Sequence, residues 1–372
     1  MPAIRILVVD DSVVVRKVLS DALATDASIE VVGTAADGNI ALAKISQVNP
    51  DLITLDVEMP GKSGIETLVE IRKLHPKLPV IMFSTLTERG AAVTLDALSL
   101  GASDYVTKPT NTGSLEQTRA KIQAELIPKI KELCRKTPGL AQFAAPLPKV
   151  MPPRIGTTRL GPAARVDVLA IGASTGGPNA LATLLPGLAQ EFPVPIVVVQ
   201  HMPPVFTQLL AERLNKQAKV EIREGTEGEV LTPGVAWIAP GDFHMRVARG
   251  DGKAVQLRMN QEPPENSCRP AVDVLFRSVA QTYGRNVLAV VLTGMGSDGV
   301  RGSEEITAAG GQVIVQDEAT SVVWGMPGQT AAAGWAEGIF PLTEMAGEIE
   351  RRVQLSRLGV DWKDKAPVGH QR

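Results

Sequence analysis

Five polar residues in the first third of the chain each end or follow a short apolar run: Asp10 and Asp11, Asp56, Ser84 and Lys108. In open parallel sheets, ligands bind outside the carboxyl ends of strands. Three carboxylates gathered at one such edge repel one another unless a cation sits among them, and an all-oxygen set suits Mg2+. A hydroxyl and an ammonium beside the cluster would suit a phosphoryl group, one donating a hydrogen bond and the other neutralising charge. An Asp-Asp pair after a strand can also be a helix N-cap. Five such residues at successive strand ends are harder to explain as caps.

A second constellation starts at Gly172-Ala173-Ser174-Thr175-Gly176-Gly177, followed by Pro178. Small flanking residues let the backbone turn sharply from strand to helix and expose the serine hydroxyl, where the helix N-terminus favours developing negative charge. The segment also fits an anion-binding glycine turn or a purely structural one. It lacks the lysine of a P-loop and the full dinucleotide glycine spacing. A serine nucleophile needs a base, and the chain has four histidines. His75 falls in the first half and His370 in the tail, while His244 lies in a hairpin region and is expected to be a surface or packing residue. His201, directly after the apolar run 196–200, is the better placed base. Asp298 lies in the loop Thr293-Gly294-Met295-Gly296-Ser297-Asp298-Gly299 and could be only the N-cap of the next helix. Beside Ser174 and His201 at comparable edges, a triad becomes the stronger explanation. Its chain order is not that of α/β-hydrolases, but a triad is recognised by geometry and role.

The elements that must position these residues follow from alternation. Apolar runs at 4–9, 29–34, 52–55, 80–83 and 105–107 alternate with helical spacing such as Val14, Val18, Leu19 and Leu23. That rhythm predicts a parallel sheet with helices on both faces. From 124 to 165 prolines and basic residues dominate without a sustained apolar period, which predicts an exposed linker; its start, 123–136, can continue a helix despite Pro128. A second alternation runs from 168 to about 355, with strands expected at 168–171, 196–200, 235–238, 287–292 and 312–315. Helical patterns lie at 179–188, 206–215, 271–282 and 299–309. The segment 234–259 predicts short antiparallel strands around Arg249-Gly250-Asp251-Gly252. The fold class is therefore α/β, with two doubly wound domains: a five-stranded parallel flavodoxin-like domain at 1–123, and a mostly parallel Rossmann-like domain with a short antiparallel element at 166–355. Residues 356–372 form a flexible tail.

With 38 basic against 40 acidic residues, the chain has no electrostatic reason to seek nucleic acid. Cys134 and Cys268 stand far apart without metal-ligand spacing, which argues against a disulfide framework or structural zinc. No apolar stretch approaches the roughly 20 residues of a membrane span, and a strand begins too soon for a signal peptide. A cytoplasmic protein without membrane insertion is expected.

Residues 1–123 resemble a two-component receiver domain. The resemblance implies that Asp56 accepts a phosphoryl group from a chemotaxis histidine kinase, and that Asp10, Asp11, Asp56 and the Glu58 backbone carbonyl hold Mg2+. It places Ser84 and Lys108 against the phosphoryl group, Tyr105 at the aromatic switch position, and a cis peptide at Lys108-Pro109. Lys62-Ser63-Gly64 departs from the family, where an acid often precedes the glycine. Residues 166–354 resemble the catalytic domain of the chemotaxis protein-glutamate methylesterases through the segments 171–178, 200–203, 240–244, 270–276 and 292–302. That resemblance implies Ser174 as nucleophile, His201 as proton shuttle and Asp298 as orienting acid. Backbone amides near Thr175 and Met295 would form the oxyanion hole. The implied substrate is a methylated glutamate on a chemoreceptor's cytoplasmic domain, no cofactor serves the esterase, and glutamine deamidation is compatible with the same chemistry. The implied control is a receiver that covers the catalytic cleft until phosphorylated. A transcriptional output would instead need a compact basic helix-turn-helix of about 60–100 residues, and the second region is longer, sheet-rich and not basic. The sequence also admits an allied amidase acting on another substrate, or a scaffold without esterase activity. A missing nucleophile or base would favour the scaffold, and neither is missing.

Overall fold

The computed structural model describes residues 2–108, 115–135, 165–250, 252 and 254–358. The expected linker from 136 onward, the tail from 359, and Pro109 with its peptide bond to Lys108 lie outside the described residues.

In the first domain β1 (Ile4–Val9), β2 (Ile29–Ala35), β3 (Leu52–Asp56), β4 (Val80–Ser84) and β5 (Asp104–Thr107) pair in parallel, in the order β2-β1-β3-β4-β5. Helices α1 (Val13–Leu23), α2 (Gly38–Val48), α3 (Gly64–Leu74), α4 (Glu88–Ser99) and α5 (Leu115–Leu133) alternate with them. With helices on both faces a strand has no solvent side, which is why β3 and β4 are buried at every position and read as near-continuous apolar runs. The strand order reverses between β1 and β3, so Asp10 and Asp56 flank the switch point where such sheets bind ligands. The unusual Lys62-Ser63-Gly64 segment is a helix start: Ser63 accepts from the Glu66 amide, and Glu66 accepts from Ser63 in a capping box.

α5 continues past residue 123 and through Pro128 to Leu133, in keeping with the helical continuation expected over 123–136. An internal proline costs about 3 kcal/mol. Burial of Leu126 and Ile130 against β1 and α1 contributes roughly 1.5–3 kcal/mol each and offsets that cost.

In the second domain β6 (Val168–Ala173), β7 (Ile196–Gln200), β8 (Glu221–Glu224) and β9 (Val235–Ile238) alternate with α6 (Gly177–Leu184) and α7 (Phe206–Asn215). An antiparallel hairpin follows, β10 (His244–Arg249) with β11 (Val255–Asn260), and matches the expected antiparallel element. Then come α8 (Val272–Tyr283), β12 (Val287–Val291), α9 (Val300–Ala308), β13 (Gln312–Gln316), α10 (Met326–Ala332), β14 (Gly338–Phe340) and α11 (Leu342–Arg357). Seven strands pair in parallel in the order β14-β13-β12-β6-β7-β9-β8. The chain leaves β6 toward β7 and later returns to β6 on its other side as β12. The switch point therefore lies at the end of β6, and the sequence places Ser174 there.

Candidate active site and receiver site

Ser174 follows β6, His201 follows β7, and Asp298 lies in the loop after β12, so three adjacent strands deliver the three residues to one edge. Gly176 makes the turn after the serine in the left-handed region, at φ 78°. Gln200 fixes its carbonyl side, its Nε2 donating to the Ser174 carbonyl at 2.9 Å.

Asp298 Oδ2 meets His201 Nε2 at 2.7 Å. The carboxylate is buried and saturated with donors. Oδ2 also accepts from the Val272 amide at 2.6 Å, while Oδ1 accepts from Asn266 Nδ2 at 2.8 Å and the Asp273 amide at 2.9 Å. Burial opposes its charge, but His201 and these amides outweigh burial and hold its carboxyl below the ordinary value. Burial likewise opposes an imidazolium at His201, yet bonds to Asp298 and Cys268 push the ring up to about 10. Asp273 stands behind the pair: its Oδ2 accepts from the same Asn266 amide at 2.9 Å, and burial together with the nearby Asp298 charge raises its carboxyl.

Ser174 Oγ makes no hydrogen bond among the described residues, so the structure brings the serine to the same edge as the His201–Asp298 pair without joining them. The Thr175 and Met295 amides also donate to nothing among the described residues. His244 is buried, with Nε2 3.1 Å from the Pro263 carbonyl, so of the two expected roles it takes packing. Gln200, Asn266, Cys268 and Asp273 escaped sequence reasoning. Asp273 carried the one usable signal, an acid at the start of an apolar helix within 270–276.

On the first domain's sheet, one oxygen each from Asp10, Asp11 and Asp56 lie within 4.8 Å of one another. Lys108 Nζ is 3.0 Å from Asp10 Oδ2 and 2.7 Å from Asp56 Oδ2. Three hard carboxylates against one ammonium fit a small divalent cation. Burial first, and the Asp10 charge beside it, raise the Asp56 carboxyl to about 6. Burial disfavours the Lys108 ammonium, but the Asp56 and Asp10 carboxylates outweigh it and raise its pKa. Ser84 Oγ donates to the Gly90 carbonyl at 3.0 Å at the rim of the same cleft, and the Glu58 amide donates to Asp56 Oδ1 at 3.3 Å.

Tyr105 lies on the edge strand β5, where the two domains touch. Its ring stacks on Phe206 with centroids 4.8 Å apart. The neighbouring Asp104 Oδ2 accepts from Thr175 Oγ1 at 2.8 Å, in a buried bond one residue from Ser174. Asn179 Nδ2 donates to the Leu98 carbonyl at 2.7 Å, and Arg213 meets Asp96 at 2.7 Å. The first domain is thus seated against the rim of the edge that carries Ser174 and His201.

The two sheets together define a response regulator whose output domain is of a hydrolase class. Comparison with known proteins gives the family. The family model described as CheB methylesterase matches residues 169–349, and the response regulator receiver domain matches residues 6–119. A protein-glutamate methylesterase/protein-glutamine glutaminase of Trichodesmium erythraeum is 54% identical over 95% of this chain and 100% of its own length. Its counterpart in a Nocardioides species is 52% identical over 96% of this chain and 97% of its own length. A solved CheB methylesterase catalytic domain from Thermotoga maritima, 39% identical, aligns with 51% of this chain and 98% of its own, with a TM-score of 0.49. The chain belongs to the CheB methylesterase family, with its receiver domain at the N-terminus. Among the described residues no helix is long and apolar enough to cross a membrane.

Proposed function

We propose that the chain hydrolyses glutamate methyl esters on the cytoplasmic domain of a chemoreceptor, in the cytoplasm, under control of phosphorylation at Asp56. The observation that carries this is the delivery of Ser174, His201 and Asp298 to one edge by β6, β7 and β12, with the imidazole already bonded to the carboxylate. In the active arrangement His201 takes the Ser174 proton as Oγ attacks the ester carbonyl. The Thr175 and Met295 amides, which have no other acceptor among the described residues, receive the developing oxyanion. Collapse expels methoxide, which leaves as methanol with the proton from His201. Water, deprotonated by His201, then cleaves the acyl-serine to free glutamate and restores the serine. The same acyl chemistry applied to glutamine would release ammonia, in keeping with the glutaminase half of the relatives' name.

In the receiver, Asp56 is the phosphoryl acceptor and a chemotaxis histidine kinase the donor. Asp10, Asp11, Asp56 and the Glu58 carbonyl would hold Mg2+, which when bound neutralises charge on the phosphoryl group. Ser84 and Lys108 contact the transferred group, and Tyr105 reports its arrival at the domain contact. Methanol release from a methylated receptor fragment tests the whole assignment. It should rise on adding a small phosphodonor with Mg2+, and the rise should be absent in Asp56→Asn. A rate indifferent to the phosphodonor would remove the receiver from the mechanism.

Two further results are expected. Because burial and Asp10 disfavour a charged Asp56, Asp56→Asn should raise the receiver's melting temperature without metal and abolish its response to Mg2+. In the parent protein Mg2+ at ten times its Kd should add about 1.4 kcal/mol. Second, a Cβ at Gly294 would press into Met326 Sδ and Ser174 Cβ. Gly294→Ala should therefore displace the serine and lower kcat about 100-fold, the effect of an ångström-scale misplacement, with a smaller change in KM.

A further inference from the structure

The turn at Glu265–Cys268 holds two residues at positive φ and brings Cys268 against His201. Glu265 and Cys268 exchange backbone hydrogen bonds at 3.1 and 2.9 Å, closing a two-residue turn. Its central residues, Asn266 and Ser267, sit at φ 52° and 63°. The left-handed region suits asparagine and glycine and disfavours serine, and such positions persist only where the surroundings impose them. Here they do. Glu265 is gripped by Arg277 Nη2 at 2.7 and 2.8 Å, and Asn266 Nδ2 bonds both Asp273 and Asp298. The consequence falls on the fourth residue: Cys268 Sγ lies 3.5 Å from His201 Nδ1.

His201 has two ring nitrogens, and Nε2 is committed to Asp298. A proton from Ser174 must therefore arrive at Nδ1, the nitrogen that faces the thiol, and Ser174 Oγ has no hydrogen bond to it. We propose that Cys268 is a positioning residue that holds the catalytic histidine away from Ser174 while the receiver is seated, and that transfer of Nδ1 from the thiol to the serine is a step of activation. This rests on His201 being the base for Ser174, and it adds a second element of control to any covering of the cleft. Sulfur is a weak hydrogen-bond partner, so the hold can be released by a modest rearrangement. The titratable groups facing the ring are Asp298 and Cys268; Asp273 stands behind Asp298, while Glu265 and Arg277 neutralise each other at the base of the turn. With Nε2 bonded to Asp298 and Nδ1 to the thiol, neither ring nitrogen is free to accept the serine proton, and both bonds favour the protonated ring.

The test uses the full-length protein, assayed by methanol release across pH with and without phosphodonor and Mg2+. Loss of a hydrogen bond of this kind is worth about 2- to 10-fold. Cys268→Ala should raise the unphosphorylated rate by that factor and move the acid limb of its pH profile to lower pH, leaving the phosphorylated rate nearly unchanged. Cys268→Ser, which keeps a small polar group at the position, should lie between Cys268→Ala and wild type and guards against misfolding of the alanine variant. The 15N shifts of the His201 ring give a second measurement on the unaltered protein, tractable because the chain has only four histidines. They should report imidazolium at pH 8 before phosphorylation and neutral imidazole after it. A neutral ring at pH 8 in the unphosphorylated protein would overturn the proposal, as would variants whose pH profile does not move. Failure of the base assignment looks different: His201→Asn would then retain turnover when phosphorylated.

Discussion

Replacing Ser174 with alanine is expected to lower methanol release about 10⁴-fold or more, the scale seen when a serine nucleophile is removed from a triad. The same substitution should leave the fold alone. Ser174 Oγ has no hydrogen bond to lose among the described residues, and alanine keeps the Cβ that faces Gly294. Surface changes away from specific interactions stay within about ±0.5 kcal/mol, so the melting curve should overlay that of the parent. That separation of chemistry from stability is particular to the serine. At His201 or Asp298, truncation would strand a buried partner, because Asp298 alone gathers the imidazole, three backbone amides and Asn266. Loss of activity there would mix lost catalysis with a loosened loop. A Ser174→Ala variant retaining a tenth of the parent rate would favour the anion-binding turn, the other chemistry open to this glycine-rich segment.

The receiver cluster, Ser174 and His201 could be picked out because each ends or directly follows a buried strand, where periodicity and residue type coincide; Asp298 lies seven residues beyond β12 and had only its glycine-rich loop to mark it. Asp56 closes a run of apolar residues, and Ser174 and His201 follow two others. What resisted is of two kinds. The edge strands Glu221–Glu224 and Gly338–Phe340 are short and partly exposed, so they lack the apolar run that marks a central strand. The groups around His201 depend on tertiary placement: Cys268 and Asn266 lie in a loop without periodicity, and Cys268 is 67 residues from the histidine it meets. Nothing local says that Asn266 and Ser267 take positive φ, since neither is glycine. The partners at the domain contact were hidden for the same reason. Tyr105 was readable as a receiver position, but its stacking on Phe206 joins residues from two separate domains.

Asp104→Ala should raise the rate of the unphosphorylated protein while leaving the phosphorylated rate close to its parent value. Asp104 Oδ2 accepts from Thr175 Oγ1 at 2.8 Å, across the domain contact, and from Lys129 Nζ at 2.9 Å within the receiver. Hydrogen bonds to a charged group are worth about 1.5–3 kcal/mol. If that energy belongs only to the seated arrangement, its loss shifts the balance toward the open one by about 10- to 150-fold. The gain in turnover is capped by the fraction still closed, so the phosphorylated and unphosphorylated rates should converge from below. The exposed Arg213–Asp96 pair serves as a comparison. Exposed ion pairs contribute about 0.2–1 kcal/mol, so Arg213→Glu should raise the unphosphorylated rate only a few fold, even though it reverses a charge. Adding Asp96→Lys to it should restore the parent rate by re-forming the pair with opposite sense. Equal effects from Asp104→Ala and Arg213→Glu would mean that the contact acts through general packing of α4 on α7. A dominant effect at Asp104 would locate the coupling at the Thr175–Asp104 bond, whose hydroxyl is one residue from Ser174 and whose carboxylate is one residue from Tyr105.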